Sequence, residues 1–303
     1  MGKKVEKQIN SKIMQFIILI LLHAFLYLLI AISFNVIYYP TRFFHIAHAI
    51  TLTGSAYFTY FFAQQLHFPI YLSIILAIFC CTVVGMLSEI VLYKPLRRRN
   101  ASPMILMIAS LGLYTMLQNM IAMFWGDDTK SIRTGEIKAG REFLGAYITD
   151  IQITTIILCL VLFGAYILLM QRSRIGRNIR AVASNPELSN IMGIPSNKVI
   201  LWAYGIGSVL ATVAGILIAF DTDMTPTMGF NWLLYGVVAM IIGGVGSNWG
   251  LISGALLLAT AQYLTTYYIG NQWMDGIAYI ILILFLIAKP LGFSGKRLKK
   301  IEI

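Results

Sequence analysis

The sequence contains nine apolar runs, each long enough to cross or enter a lipid bilayer. They cover residues 13–39, 43–66, 69–93, 103–125, 150–171, 199–220, 229–247, 250–269 and 274–289. Inside a bilayer every backbone polar group must be paired within the protein, so a spanning chain forms either helices or a closed β-barrel. A barrel requires alternating apolar and polar residues, and these runs do not alternate. We therefore expect an all-α, polytopic membrane protein.

The charged residues are few and lie mainly between the apolar runs. Only 12% of the residues are charged, against about 25% in soluble domains. The net charge of +11 would by itself be compatible with nucleic-acid binding. The basic residues are concentrated in four stretches: Lys3, Lys4, Lys7 and Lys12; Lys94, Arg97, Arg98 and Arg99; Arg172, Arg174, Arg177, Arg180 and Lys198; and Lys289, Lys296, Arg297, Lys299 and Lys300. Short basic loops stay in the cytoplasm, so the charge indicates orientation in the lipid and no nucleic-acid partner.

This distribution predicts the domain organisation and the orientation of the chain. Residues 1–303 form a single transmembrane domain in this interpretation, in the cytoplasmic (inner) membrane with both termini cytoplasmic. Residues 171–198 form a basic cytoplasmic loop. Residues 126–149 carry four acidic and four basic residues, and together with Asp150 and the links 221–228 and 270–275 they have a net charge of −4. This interpretation makes residues 126–149 an extracytoplasmic loop.

An odd number of runs separates the first two basic stretches, which are both predicted to be cytoplasmic. Three crossings cannot return a chain to the side on which it started, so one of these runs is not a simple span. Pro40, Arg42, His45 and His48 would be costly at membrane depth unless they face protein or a wet cavity. We therefore predict a broken or re-entrant segment at residues 35–66 and about eight full crossings. Its candidate solute-path residues are His45, His48, Thr51, Thr53, Gly54 and Tyr57.

Two histidines in this segment resemble half of a metal site. His45 and His48 are three residues apart and can share one side of a helix. A metal needs further ligands, and no acidic residue lies nearby in the sequence. We expect a path-lining or structural role and no bound metal.

The central basic loop contains the signals of a short capped helix. Asn185 is a good N-cap, Pro186 suits the first helical position, Glu187 complements the helix dipole and Gly193 can close the helix. One interpretation is a capped connector. The other is a docking helix for a cytoplasmic partner, because the following residues give it an apolar stripe without a local core. These residues are Leu188, Ile191 and Met192.

A dense group of glycines near residue 245 predicts a break between two helices. The density of glycines is higher here than close packing of membrane helices requires, with Gly243, Gly244, Gly246 and Gly250 in one short stretch. We expect a hinge or gate at the cytoplasmic end of the helices or within the membrane.

Motifs of catalysis are missing from the sequence. It contains no Gly-x-x-x-x-Gly-Lys-[Ser/Thr] loop for nucleotides, no His-Glu-x-x-His and no Gly-x-Ser-x-Gly. No pair of acidic residues lies deep within the apolar runs, as an ion-coupled carrier often requires. The chain is therefore not expected to be an enzyme or to bind a cofactor of its own.

Three patches resemble the permease subunits of branched-chain amino acid ABC importers, the LivH/LivM type. They are Phe44-His45-Ile46-Ala47-His48 with Gly54-Ser55-Ala56-Tyr57, Met240-Ile241-Ile242-Gly243-Gly244-Val245-Gly246-Ser247, and Lys289-Pro290-Leu291-Gly292-Phe293-Ser294-Gly295. Glu187-Leu188-Ser189 with Gly193 is similar to the coupling loop of ABC permeases. The resemblance implies a second permease subunit, homologous or identical, two cytoplasmic ATPases that bind ATP, and an extracytoplasmic solute-binding protein. It also implies alternating access driven by ATP in those partners.

The solute is less closely indicated than the family. Ala49-Ile50 stands where the family usually has Gly-Glu. Leucine, isoleucine and valine are the default solutes that the resemblance implies, and urea, short amides or another small polar solute are the alternatives. A stand-alone channel or ion-coupled carrier is a second class of function, and a membrane enzyme or scaffold is a third.

Overall fold

The computed structural model describes residues 2–133, 140–143 and 146–293. Its helices are α1 (Gly2–Thr41), α2 (Ala49–Tyr60), α3 (Ile70–Ser88), α4 (Lys94–Arg98), α5 (Pro103–Trp125), α6 (Asp150–Arg172), α7 (Arg174–Ser184), α8 (Pro186–Ile191), α9 (Ser196–Asp221), α10 (Met228–Gly243), α11 (Asn248–Tyr268) and α12 (Met274–Ala288). Short 3-10 turns cover Ile46–His48 and Asn271–Trp273, and π-helical turns cover Phe61–Gln65 and Glu89–Tyr93. Strands β1 (Arg141–Phe143) and β2 (Ala146–Ile148) form an antiparallel pair. Parts of the predicted 126–149 loop and of the basic tail, residues 134–139, 144–145 and 294–303, lie outside the described residues.

The predicted all-α, polytopic membrane architecture is confirmed. Within the described ranges, six helical stretches are long and apolar enough to cross a membrane. They are Ser11–Thr41, Ile70–Arg98, Pro103–Trp125, Asp150–Arg172, Ser196–Asp221 and Asn271–Ala288. Met228–Gly243 is a shorter apolar helix. The helix α2 packs among these elements and is buried on nearly all sides, and α11 buries one face.

Helices α1 and α9 form the centre of the bundle, where backbones approach closely. A Cβ atom added at Gly207 would lie 2.8 Å from the main-chain oxygen of Ser33 in α1. At Gly215 it would lie 2.4 Å from the main-chain oxygen of Leu52 in α2. Small residues allow this approach, which replaces the hydrophobic driving force that is missing between helices in lipid. The sequence thereby places α9 against two other helices.

Helices α3, α5, α6 and α12 form the outside of the bundle. Large apolar side chains such as Phe79, Ile157 and Ile287 are exposed on them. In a membrane protein such side chains face lipid tails or a neighbouring subunit.

The α1 helix runs from one end of the bundle to the other. In the first half of α1, Gln15 exchanges two hydrogen bonds with the backbone of Tyr147 in β2, at 3.1 and 2.8 Å. Gln64, in the π-helical turn that follows α2, donates to the carbonyl of Ile132 at 3.0 Å. This end therefore contains the residues of the predicted extracytoplasmic loop, and we call it the hairpin end.

The opposite end contains α7, α8 and the turn between α10 and α11, and we call it the loop end. Arg42, just after α1, donates a hydrogen bond to the carbonyl of Ala183 in α7. The chain beyond α12 is fixed at the same end, because the Phe293 amide donates to the Ile242 carbonyl at 2.9 Å. The predicted cytoplasmic loop thus lies here.

The structure places the two ends of the described chain at opposite ends of the bundle, because α1 begins at the hairpin end and α12 ends at the loop end. This arrangement does not fit the prediction that both termini are cytoplasmic, and the side of the membrane on which each terminus lies stays a prediction. The basic residues of 94–99 and 172–180, and Lys289, gather toward the loop end, whereas the N-terminal lysines precede the part of α1 at the hairpin end. The first helix does not always dominate orientation, and later basic loops can outweigh it. With this start, α1, α2 and α3 run between the two ends of the bundle in alternating directions and bring residues 94–102 to the loop end. The predicted interruption of 35–66 is present, and it is confined to residues 42–48.

Candidate functional site

The interruption after α1, residues 42–48, is the helix break of this protein. Pro40 stands in the last turn of α1 and cannot continue its hydrogen-bond ladder. Arg42 adopts the left-handed conformation with φ of 55°, and its amide donates to the Tyr38 carbonyl at 2.8 Å. The chain thereby reverses direction before α2 begins.

His45 connects the helix break to two outer helices. Its imidazole is 2% exposed. The Nδ1 atom lies 3.0 Å from the hydroxyl of Tyr93 and 3.2 Å from that of Ser110. The Ser110 hydroxyl also accepts a hydrogen bond from the Ala47 amide at 2.9 Å. Because these groups are buried, their hydrogen bonds hold α5 and the π-helical turn that follows α3 to the helix break.

His48 connects the same segment to α1. Its Nε2 atom lies 3.1 Å from the hydroxyl of Ser33, which itself donates to the Ile30 carbonyl at 2.7 Å. Since the serine proton is used in this way, Nε2 of His48 is the donor. Its Nδ1 atom is then an acceptor, and it has no hydrogen-bond partner among the described residues.

The other predicted path residues also lie inside the subunit. The Thr51 hydroxyl donates to the His48 carbonyl at 2.7 Å, and that of Thr53 accepts from the Gly229 amide at 3.1 Å. Gly54 faces α3, and Tyr57 packs against a tryptophan of α5. All six candidates are therefore buried in protein, and their contact with solute stays a prediction. The described residues contain no group of three or more ligands that could hold a metal.

A cavity of about 240 Å³ lies at the loop end, beside the helix break. Asn35, Tyr166, Arg180 and Asn248 are among its lining residues. Of the predicted site residues, only Gly246 contributes to its wall. Asn35 links two parts of the cavity wall, because its side chain donates to the Tyr166 hydroxyl in α6 at 3.3 Å and accepts from the Gly246 amide at 3.3 Å.

The predicted short helix in the central loop is present as α8. The Asn185 side chain accepts from the Leu188 amide at 2.9 Å, as expected of an N-cap. Gly193 has a φ of 82° and ends the helix in the left-handed conformation. The apolar stripe is exposed: Leu188 by 55%, Ile191 by 81% and Met192 by 74%. Its docking role stays a prediction.

Sequence reasoning missed α7, the longer helix of the central loop. Its buried face contains Ile179, Val182 and Ala183, and its exposed face contains Arg177 and Arg180. The spacing of these apolar and basic residues is typical of an amphipathic helix and could have predicted it. This helix links α8 to the helix break through the contact between Ala183 and Arg42.

The predicted break at the glycine cluster is present between α10 and α11. Gly244 and Gly246 have φ values of 95° and 81°. A Cβ atom at Gly243 would lie 2.2 Å from the main-chain oxygen of Gly250, so no larger residue fits between the two helices. The Ser247 side chain caps α11. Movement at this turn, as a hinge or gate, stays a prediction.

A buried ion pair lies near the loop end of α3. Glu89 is 1% exposed and pairs with Arg97, whose second contact is a hydrogen bond of 3.0 Å between Nη1 and Oε2. The pair satisfies a carboxylate that would otherwise be costly within the membrane zone.

Comparison with known proteins decides the family. Residues 16–286 match the family model described as the branched-chain amino acid transport system / permease component. The chain belongs to this family. The permease is similar to a high-affinity branched-chain amino acid transport system permease protein, BraD, of Pseudomonas aeruginosa, with 30% identity over 89% of this chain and 92% of that protein. It is also 30% identical to the LivH permease protein of Salmonella typhimurium, over 73% of this chain and 72% of that one.

A solved structure supports the fold of the permease. The structure titled PsaBC from Streptococcus pneumoniae in complex with Fab aligns with a TM-score of 0.52, covering 95% of this chain and 97% of that one. The sequences are 12% identical, so the alignment supports a shared fold and carries no information on the solute.

Proposed function

We propose that this permease is the transmembrane subunit of an ATP-driven ABC importer for leucine, isoleucine and valine. The main support for this proposal is the family match over residues 16–286, together with two relatives at 30% identity whose names specify branched-chain amino acids. In this proposal a second permease subunit, two cytoplasmic ATPases and an extracytoplasmic solute-binding protein complete the transporter. ATP is bound by the ATPases.

The exposed stripe of α8 is the proposed contact with an ATPase. Leu188, Ile191 and Met192 project from the loop end, beside the basic face of α7. Exposed apolar side chains rimmed by charged residues are typical of protein interaction sites. Closure of the ATPases on ATP would move α8, and the preference of nucleotide for one conformation would switch the accessible side of the path.

A charge placed on this stripe tests the docking role. We expect Ile191→Asp to abolish ATP-dependent leucine uptake and co-purification of the ATPases, because the carboxylate would be desolvated in the contact. Leu66→Asp is the matched control, since it adds the same charge to an exposed apolar residue at the hairpin end. Normal uptake and normal ATPase binding by Ile191→Asp, in protein inserted at ordinary levels, would refute the docking role.

A further inference from the structure

The exposed face of α5 differs from those of the other outer helices. In the central parts of α3, α6 and α12 the exposed side chains are apolar, for example Val83, Val161 and Ile283. In the central part of α5, Thr115 and Asn119 are exposed. A helix whose outer face met only lipid would not be expected to carry a hydroxyl and a carboxamide there.

The polar residues of α5 lie on one line along the helix. Gly112, Thr115 and Asn119 follow each other at spacings of three and four, so they share a face. A Cβ atom at Gly112 would meet no atom within 4 Å, so this face is open. At 1.5 Å per residue Thr115 lies about 18 Å from the start and about 15 Å from the end of α5, close to the middle of this span. We call this line, Gly112–Thr115–Asn119, the polar stripe.

The hydrogen bonds within the polar stripe do not use all of its donors and acceptors. The Thr115 hydroxyl donates to the Leu111 carbonyl at 3.0 Å, and the Asn119 amide nitrogen donates to the Thr115 carbonyl at 2.7 Å. The carboxamide oxygen of Asn119 accepts no hydrogen bond from any residue that the structure describes. Against lipid tails this oxygen would remain without a donor, which is costly in hydrocarbon.

We propose that the polar stripe of α5 lines the aqueous solute path, whose opposite wall is supplied by a second permease chain. This inference rests on the proposed function, because it assigns a location to that path. It moves the path from the buried residues near the helix break to an outer face of the subunit. Water and solute then provide the partners that lipid cannot give to Asn119.

The chemistry of the stripe suits a zwitterionic solute with an aliphatic side chain. The Asn119 carboxamide oxygen and the Thr115 hydroxyl oxygen can accept hydrogen bonds from an ammonium group, and the second N–H of the Asn119 amide can donate to a carboxylate. Exposed methionines beside the stripe, Met116 and Met123, offer adaptable apolar surface to an aliphatic side chain. Since the stripe carries no charge, it binds weakly and allows the solute to leave.

Water access to single cysteines tests the proposal. In a background with Cys80, Cys81 and Cys159 replaced by alanine, Thr115→Cys, Asn119→Cys and the lipid-facing control Ile283→Cys are made in the complete transporter in native membranes. A water-soluble, positively charged methanethiosulfonate reagent is applied, and leucine uptake and labelling are followed. Thiols react as thiolates, which form in water and not in hydrocarbon.

We expect Thr115→Cys and Asn119→Cys to react at least about tenfold faster than Ile283→Cys, the equivalent of one unit in thiol pKa. Their labelling should block leucine uptake, whereas labelling at a lipid-facing site should not. Rates equal to that of Ile283→Cys would overturn the proposal, and so would spontaneous cross-linking to the second permease without reagent access. If leucine uptake is absent before any substitution, the proposed function fails, while the difference in labelling rates still reports whether the stripe is wet.

Discussion

The guanidinium group of Arg42 donates a hydrogen bond to the main-chain carbonyl of Ala183, and this contact ties the helix break to α7. On its other side the break is tied to α5, because Ser110 contacts both His45 and the Ala47 amide. A continuous set of packed elements therefore runs from α8 through α7 and the break to α5. Such a set can pass a movement at the loop end to the membrane interior.

Removal of the Arg42 side chain is predicted to uncouple transport. Arg42→Ala loses a hydrogen bond from a charged donor, which contributes about 1.5–3 kcal/mol, and we expect uptake to fall about tenfold or more at unchanged ATPase content. Arg42→Lys, which keeps the charge, is the matched control and should retain part of the uptake. ATP hydrolysis and leucine uptake are measured on the same preparation. Uptake in Arg42→Ala equal to that of the unmodified permease would contradict this role of Arg42.

Loss of the Ser110 hydroxyl is predicted to loosen α5. Ser110→Ala leaves the buried Ala47 amide without its acceptor, at a cost of about 1–3 kcal/mol, and the melting temperature in detergent should fall. Thr154→Ala is the control, because its hydroxyl is exposed and bonds only within its own helix turn. A melting temperature of Ser110→Ala within error of the Thr154→Ala value would show that the Ser110 contacts do not stabilise α5.

A methyl group at the α10–α11 contact is predicted to disrupt packing. The added Cβ atom of Gly243→Ala would lie 2.2 Å from the Gly250 carbonyl oxygen, and that of Gly250→Ala 2.0 Å from the Gly243 carbonyl oxygen. Both distances are steric clashes. Overpacking of this kind costs about 1–3 kcal/mol and occasionally more, so inserted protein and thermal stability should both fall. Gly164→Ala is the control, because nothing lies within 4 Å of its Cβ position. If all three variants melt alike, the two helices do not touch at these glycines.

The features that the sequence predicts well are those with local causes. Asn185 begins α8 as its N-cap, and Gly193 closes the helix in the left-handed conformation. Gly244 ends α10 in a similar way, because it too has a positive φ. The apolar runs likewise predict the spans, since bilayer thickness determines helix length.

The features that it predicts poorly depend on contacts between distant residues. The start of α1 lies at the hairpin end, where Gln15 contacts Tyr147, 132 positions away, and no local pattern in the sequence indicates this contact. The burial of His45 depends on Tyr93 and Ser110, which lie in other helices. The polarity of Thr115 and Asn119 is visible in the sequence, but their exposure required knowledge of which face of α5 packs inward.

The most direct test of the central claim is leucine uptake by the complete transporter in proteoliposomes, with this permease, its second permease subunit, both ATPases and the solute-binding protein. We predict accumulation of radiolabelled leucine against its gradient only when ATP is supplied on the side of the ATPases, with competition by isoleucine and valine. Urea, a short amide and galactose serve as comparison solutes and should not compete. Leucine accumulation that persists without ATP, or transport of urea in place of leucine, would contradict the account.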